Sequence, residues 1–395
     1  MRVDGEPIMA AAQDFDVTGQ RRGRRIAHVT DCYLPRMGGI ERQVAGLAQA
    51  QIADGDEVDI FTAVADGTGA PSVPATARVH RPEVAGGTVG RIHYRRTRQV
   101  LDRIDAGQYD LIHAHVSTFS PLAFRQAAAA RTHSTPTVVT LHSMLAGVRS
   151  ALSVADGLAS WSRWPVTWSA VSTVAARDLQ PYVDRPVAVL PNGVDIDFWR
   201  AGICSGASEG LAIATVMRLA ARKRPLQFVE MLARLRQSVP ATTPITARIV
   251  GDGPMRRKVA DLLVRYDLQK WVSLDGQLTS GEIRSVFASS NLYVAPAVHE
   301  SFGIAALEAH STGLPVLAFA NSGVADIVRD GMDGRLVTGD RAMVAAMTDL
   351  AERPAELARL GARAAAGEPR FDWSAVRRQA DALYWSASPR AVVAS

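Results

Sequence analysis

From Arg25 onward the chain reads as short apolar runs separated by longer amphipathic stretches. Ile26–Val29 lies between a charged segment and a glycine-bearing loop. Glu57–Ala63, Asp110–His115, Thr137–His142, Val166–Val171 and Val187–Leu190 follow it. Brief apolar runs bounded by polar turns predict buried strands. Between them the period changes. Ile40, Val44 and Leu47 share one helical face, and Leu122–Ala130 is alanine-rich with one polar side. Strands alternating with helices predict a parallel sheet built from βαβ crossovers.

The pattern then starts over. Residues 199–209 are rich in Gly and Ser, which suits a linker. After it come Leu211–Met217, Ile245–Val250, Trp271–Leu274, Asn291–Ala295, Leu314–Phe319 and Arg335–Val337, with helical stretches at Leu226–Val239 and Met255–Tyr266. The expectation is two successive open α/β sheets of six short strands each. Such sheets bind ligands at the carboxyl ends of their strands, and two that face each other hold a ligand in the cleft between them.

Composition narrows the classes. A chain of 395 residues is too long for one ordinary core and fits two large α/β domains. With 47% hydrophobic and 21% charged residues it is not a disordered chain. There is no run of 18 apolar residues to span a membrane. The N-terminus has no signal-type apolar core, because Ala10–Ala12 gives way to Gln13 and Asp14. Cys32 and Cys204 make neither a disulfide framework nor a cysteine metal site, so the cytosol is the expected compartment. A net charge of +5 does not demand a nucleic-acid partner. The basic residues include only three lysines, Lys223, Lys258 and Lys270, which makes each worth considering.

Three segments carry candidate chemistry. Gly38-Gly39 lies between the first strand and the helix from Ile40, where glycine permits close backbone approach and a helix N-terminus favours an anion; a plain turn is the other reading. Arg218 and Lys223 follow the first strand of the second half, where two cations suit a diphosphate and a solvated basic loop is the alternative. The strongest is Glu300-Ser-Phe-Gly-Ile-Ala-Ala-Leu-Glu308, which opens a helix near Gly303. Unpaired N–H groups of Phe302, Gly303 and Ile304 can bind hydroxyl or phosphate oxygens, with a carboxylate at each end for sugar hydroxyls. A bulky Phe302 at a loop tip argues against an ordinary surface helix.

These segments resemble the family 4 retaining glycosyltransferases of GT-B fold, nucleotide-sugar-dependent hexosyltransferases that include bacterial mannosyl- and N-acetylglucosaminyltransferases. The resemblance rests on the E-x7-E segment Glu300–Glu308, the Arg218…Lys223 pair and the Gly38-Gly39 loop. Pro191-Asn-Gly-Val-Asp195, Gly251-Asp-Gly-Pro254 and Phe371-Asp-Trp-Ser374 match the interdomain connection, a donor-side loop and the start of a crossover helix. It covers the chain from Arg25 to about Ser386.

The resemblance implies an α/β architecture of two Rossmann-like doubly wound domains. Residues 1–23 are then a flexible lead-in, 24–198 an acceptor domain, 199–370 a donor domain, and 371–395 a helix crossing back, plus a tail. It implies that Glu300 contacts the donor sugar, Glu308 holds the ribose, Arg218 and Lys223 bind the diphosphate, and His142 lies near the transferred sugar. Gly38, Gly39, Gly251, Gln277, Phe302, Gly303 and Ile304 complete the implied donor site. The implied reaction in glycan biosynthesis moves a hexosyl unit from GDP-mannose or a UDP-hexose to a hydroxyl of a glycolipid, polysaccharide or small molecule. It proceeds with retention and without an essential metal or other cofactor.

His113 and His115 sit two apart at a strand end and are expected to line the cleft; two ligands without an acidic third are a weak metal site. Trp161, Trp164 and Trp168 leave two readings open, a core cluster or a peripheral contact with the inner face of the membrane. A nicotinamide dehydrogenase fails because Pro35-Arg-Met-Gly-Gly-Ile is not G-x-G-x-x-G. A pyridoxal-phosphate phosphorylase fails because no lysine follows Lys270. A sugar-nucleotide epimerase of the same fold and a non-catalytic nucleotide-sugar-binding protein stand as alternatives.

Overall fold

The computed structural model describes residues 23–34, 38–64, 77–81, 100–104, 108–145, 160–201 and 210–388. The expected lead-in up to residue 22 and residues 202–209 of the linker lie outside the described residues. The first sheet contains β1 (Arg25–Thr30), β2 (Glu57–Thr62), β3 (Arg78–His80), β4 (Leu111–Val116), β5 (Thr137–Leu141), β6 (Thr167–Ala170) and β7 (Ala188–Val189), in the order 3-2-1-4-5-6-7. The second contains β8 (Leu211–Val216), β9 (Ile245–Val250), β10 (Val272–Gly276), β11 (Leu292–Ala295), β12 (Val316–Phe319) and β13 (Gly334–Val337), in the order 10-9-8-11-12-13. Every neighbouring pair in the second sheet is parallel, as are the pairs from β3 to β5 in the first.

The helices that position the argument are α1 (Gly39–Ala53), α2 (Pro121–Ala129), α3 (Thr173–Leu179), α4 (Ile196–Arg200), α5 (Pro225–Ser238), α6 (Arg256–Arg265), α7 (Ser280–Ala288), α8 (Ile304–Ser311), α9 (Asp340–Glu352), α10 (Pro354–Ala365) and α11 (Trp373–Ala387). Their ends follow local chemistry. Pro225 and Pro354 occupy first helical positions, where no N–H is needed. Thr279 and Glu282 close a capping box on α7. Strands β1, β4, β5, β11 and β12 are buried almost throughout, as parallel strands covered on both faces must be.

The first sheet has one strand more than expected. β3 escaped the apolar pattern because Val79 is its single hydrophobic residue. It is held instead by polar contacts: Arg78 Nε and His80 Nε2 lie 2.9 and 3.0 Å from Asp59 Oδ1. The described residues form two compact units, one drawn from 1–141, 159–169 and 377–395, the other from 142–158 and 170–376.

Inside the first unit, His113 and His115 do not line a cleft. They are 0% and 3% exposed, beside His28 at 0%, because β1 and β4 are neighbours and His28 stands level with His113. One set of neutral tautomers satisfies the whole chain of contacts. His115 Nε2 donates to His28 Nδ1 (2.8 Å), and His28 Nε2 donates to Gln51 Oε1 (2.7 Å). Gln51 Nε2 donates to the Tyr384 hydroxyl (2.9 Å), which donates to His113 Nδ1 (2.8 Å). His113 Nε2 then donates to Thr140 Oγ1 (2.6 Å), which meets Ser169 Oγ at 2.7 Å. Tyr384 thus ties α11 to the first sheet, helped at the rim by Arg24 and Arg377, which pair with Asp381 and Asp54. The tryptophans resolve the same way. Trp161, Trp164 and Trp168 are 5%, 5% and 1% exposed, with Trp161 edge-on to Trp168, so they belong to the core.

Candidate active site

The order of the second sheet reverses between β8 and β11, the place where an open parallel sheet leaves a crevice beyond its strand ends. The segment after β8 carries Arg218 and Lys223, and the segment after β11 carries Glu300. Lys223 Nζ bonds Glu300 Oε2 across that reversal, with both side chains largely buried. Arg218 is exposed and has no side-chain partner among the described residues.

Arg224, which the sequence reading passed over, holds the two segments in register. Its Nη2 meets both carboxylate oxygens of Asp340 at the start of α9 (2.9 and 2.7 Å), its Nη1 donates to the Pro296 carbonyl (3.2 Å), and the guanidinium lies over Phe319. Its backbone is left-handed (φ 59°), which costs a non-glycine residue about 1–2 kcal/mol; the charge-assisted bonds to Asp340 offset that. Tyr293 adds a second tie, its hydroxyl donating to the Val216 carbonyl at 3.2 Å. Burial, reinforced by the nearby Glu300 and Glu308 carboxylates, raises the Tyr293 pKa and keeps the phenol neutral. Gly251 lets the β8 and β9 ends touch: at φ 128° a Cβ there would lie 1.9 Å from the Met217 carbonyl oxygen.

The loop before α8 is fixed by its backbone. Gly323 N–H donates to the Glu300 carbonyl (2.8 Å). Gly303 has φ 94°, and a Cβ would meet Val324 at 2.6 Å, so the sharp entry to α8 requires glycine. The N–H groups of Phe302, Gly303 and Ile304 have no acceptor among the described residues, the normal state of a helix start open to a ligand. One expectation is corrected here. The Phe302 ring is not at a loop tip but 1% exposed, packed edge-on against Phe371, so only its backbone can face a ligand. Its burial is what pins the loop. Glu308, one turn into α8, is 4% exposed.

His142, just past β5, falls in the second unit with this loop. Ser301 Oγ donates to its carbonyl (2.8 Å), and Ser172 Oγ donates to the Ser301 carbonyl (2.5 Å). Burial lowers the His142 pKa to about 4, so the imidazole is neutral near pH 7. Gln277 is exposed directly after β10. Arg218, Lys223, Gly251, Gln277, Glu300, Phe302, Gly303, Ile304, Glu308 and His142 therefore share one unit. Gly38 and Gly39 lie in the other, at the start of α1, with the Glu41 carboxylate folded over Gly38.

Among the described residues, His28, His113 and His115 are the one trio with ligand atoms close enough for a metal, all within 4.8 Å of one another. Both ring nitrogens of His28 and of His113 are already hydrogen-bonded. No described helix is long and apolar enough to cross a membrane.

Two family models match. The one described as Glycosyl transferases group 1 covers residues 207–366, and Glycosyltransferase Family 4 covers residues 37–198. A D-inositol 3-phosphate glycosyltransferase of Thermobispora bispora is 27% identical over 72% of this chain and 72% of its own. A phosphatidyl-myo-inositol mannosyltransferase of Mycolicibacterium smegmatis is 28% identical over 89% of this chain and 91% of its own. Among solved structures, HepE of Anabaena in complex with UDP and glucose superposes with a TM-score of 0.71 at 22% identity, covering 92% of this chain and all of that one.

Proposed function

Because this chain belongs to the family 4 glycosyltransferases of GT-B fold and is a glycosyltransferase acting with a nucleotide-sugar donor, we propose that it transfers a hexosyl unit with retention, from a donor held at the strand ends of the second sheet. The observation that carries this reading is the Lys223–Glu300 pair at the β8/β11 reversal, beside the unpaired N–H groups that open α8. In it, Arg218 and Lys223 bind the diphosphate, Glu300 the sugar hydroxyls and Glu308 the ribose. The neutral His142 lies by the transferred sugar. Gly251 and Gln277 border the nucleoside. Residues 24–198 serve the acceptor, 199–370 the donor, and 371–395 cross back.

The bond between the anomeric carbon and the diphosphate oxygen breaks, and its electron pair stays on the leaving phosphate. Arg218, Lys223 and the α8 N-terminus stabilise that developing charge without a metal. The acceptor oxygen bonds the anomeric carbon on the face the phosphate leaves, and its proton passes to the departing phosphate oxygen. Two relatives named for inositol phosphate and phosphatidyl-inositol substrates support an acceptor hydroxyl on an inositol phosphate, free or lipid-borne.

The test is a panel of GDP- and UDP-hexoses incubated with inositol 3-phosphate or phosphatidylinositol, with the product's anomeric configuration read by NMR. A retained glycosidic product supports the proposal. An altered sugar released without acceptor points to the epimerase, and an inverted product overturns the mechanism.

A further inference from the structure

Arg256, the first residue of α6, follows the Gly251-Asp-Gly-Pro-Met255 loop after β9, and its guanidinium lies over Gly276 at the end of β10. A Cβ at Gly276 would sit 3.2 Å from Arg256 Nη1 and 3.7 Å from Nη2, so the guanidinium fills the space a side chain would take. Nη1 is shielded from solvent and has no hydrogen-bond partner. Neither neighbouring acidic residue in sequence serves it: Asp252 accepts from the Gly253 N–H at 2.6 Å, Asp275 accepts from Arg248 Nε at 2.7 Å, and neither is hydrogen-bonded to Arg256. Arg224 and Arg335, by contrast, each pair with a carboxylate. A buried donor without an acceptor is costly and asks for an explanation.

A ligand acceptor supplies one. β9 and β10 are the first and second strands out from β8, on the side away from β11. With strands about 4.8 Å apart, the β10 end lies roughly 10 Å from the Arg218–Lys223 segment, about the reach from a diphosphate across a ribose to its base. We propose that Arg256 reads the nucleobase of the donor and favours guanine. This rests on the reading of the second sheet's edge as a nucleotide-diphosphate site. A guanidinium offers parallel N–H donors, which match the adjacent O6 and N7 acceptors of guanine. Uracil sets an N3–H donor between its two carbonyls, and that donor would oppose one arm of the fork.

The experiment is calorimetric titration of the full chain with GDP and with UDP, for wild type, Arg256→Met and Arg256→Lys, with Arg256→Gln as the second neutral variant if Met impairs folding. Wild type should bind GDP about tenfold or more tighter than UDP, the discrimination typical of a bidentate arginine–guanine contact. Arg256→Met should erase that preference by weakening GDP while leaving UDP within about twofold, and Arg256→Lys, with one donor left, should fall between. Equal losses for both nucleotides, no change in either, or tighter UDP binding by wild type overturns the assignment and leaves the nucleotide site standing. A wild type that binds neither nucleotide overturns both.

Discussion

The two sheets reverse strand order at matching places, β1/β4 in the first and β8/β11 in the second, yet they treat polar residues in opposite ways. At β1/β4 the polar groups lie on the strands themselves. His28, His113 and His115 are sealed between the sheet, α1 and α11 in a network that satisfies its donors in sequence. At β8/β11 the strands are apolar apart from Tyr293 and Thr215, and the polar groups sit in the segments beyond them. There Lys223 meets Glu300, Arg218 has no partner among the described residues, and three N–H groups at the start of α8 lack acceptors. A polar residue inside a strand must be satisfied by the protein, whereas one just past its end can wait for a ligand.

The largest effect should come from the second of these places. Glu300→Ala removes the carboxylate proposed to meet the donor sugar but neither Phe302 nor Gly303, which hold the loop. Transfer at saturating donor should fall by about 10²–10³, with the melting temperature little changed, the size typical of losing one preorganised electrostatic contact. A rate within threefold of wild type would cancel the role given to that edge.

The first place should answer to pH instead. Burial lowers the His28 pKa from 6.5 to about 4. The unfolded chain therefore takes up protons first. Stability is complete above about pH 6.5 and is lost as pH falls toward 4, by up to about 3 kcal/mol for His28 alone. Urea unfolding at pH 7.5 and pH 5 should give a lower stability at the acidic value. A flat profile would mean that the histidine network is not held neutral.

Tyr384→Phe is a smaller probe of the same network. It removes one hydroxyl and leaves Gln51 and His113 each short of a partner, at a cost of about 1–3 kcal/mol. Thermal melting should drop by several degrees, while transfer constants stay put. An equal fall in turnover would show that the network serves the reaction as well as the fold.

How much of this contrast could be read from the sequence follows from the same division. Strands in the second half stand out because their residues are apolar and the polar groups cluster after them, as in Asn291–Ala295 followed by Glu300. β3 was invisible because an edge strand of three residues is held by Arg78, His80 and Asp59 rather than by an apolar face. His113 and His115 were placed in a cleft because their spacing does not show that β1 brings His28 level with them, nor that α11 returns with Tyr384 more than 250 residues later. Phe302 was misread for the reverse reason: a large apolar residue beside Gly303 pins the loop from beneath. Arg224 carried one faint sign, a third basic residue directly before Pro225, and its partner Asp340 is too far along the chain to be guessed.

The smallest expected effect is none at all, and it tests both regions together. In the proposed reaction, Arg218, Lys223 and the α8 N-terminus take the place of a divalent ion at the leaving diphosphate. At the first, a metal would have to break the bonds that His28 and His113 already make at 2.6–2.8 Å to His115, Gln51, Tyr384 and Thr140. Dialysis against EDTA should therefore leave both the transfer rate and the melting temperature unchanged. The two regions fail separately, which makes the measurement informative. Loss of activity restored by one divalent ion, with the melting temperature intact, would mean that the cations of the second edge are insufficient for the leaving group. A lowered melting temperature restored by zinc, with ion content confirmed by mass spectrometry, would instead place a structural metal among the three histidines and dissolve the contrast between a sealed region and an open one.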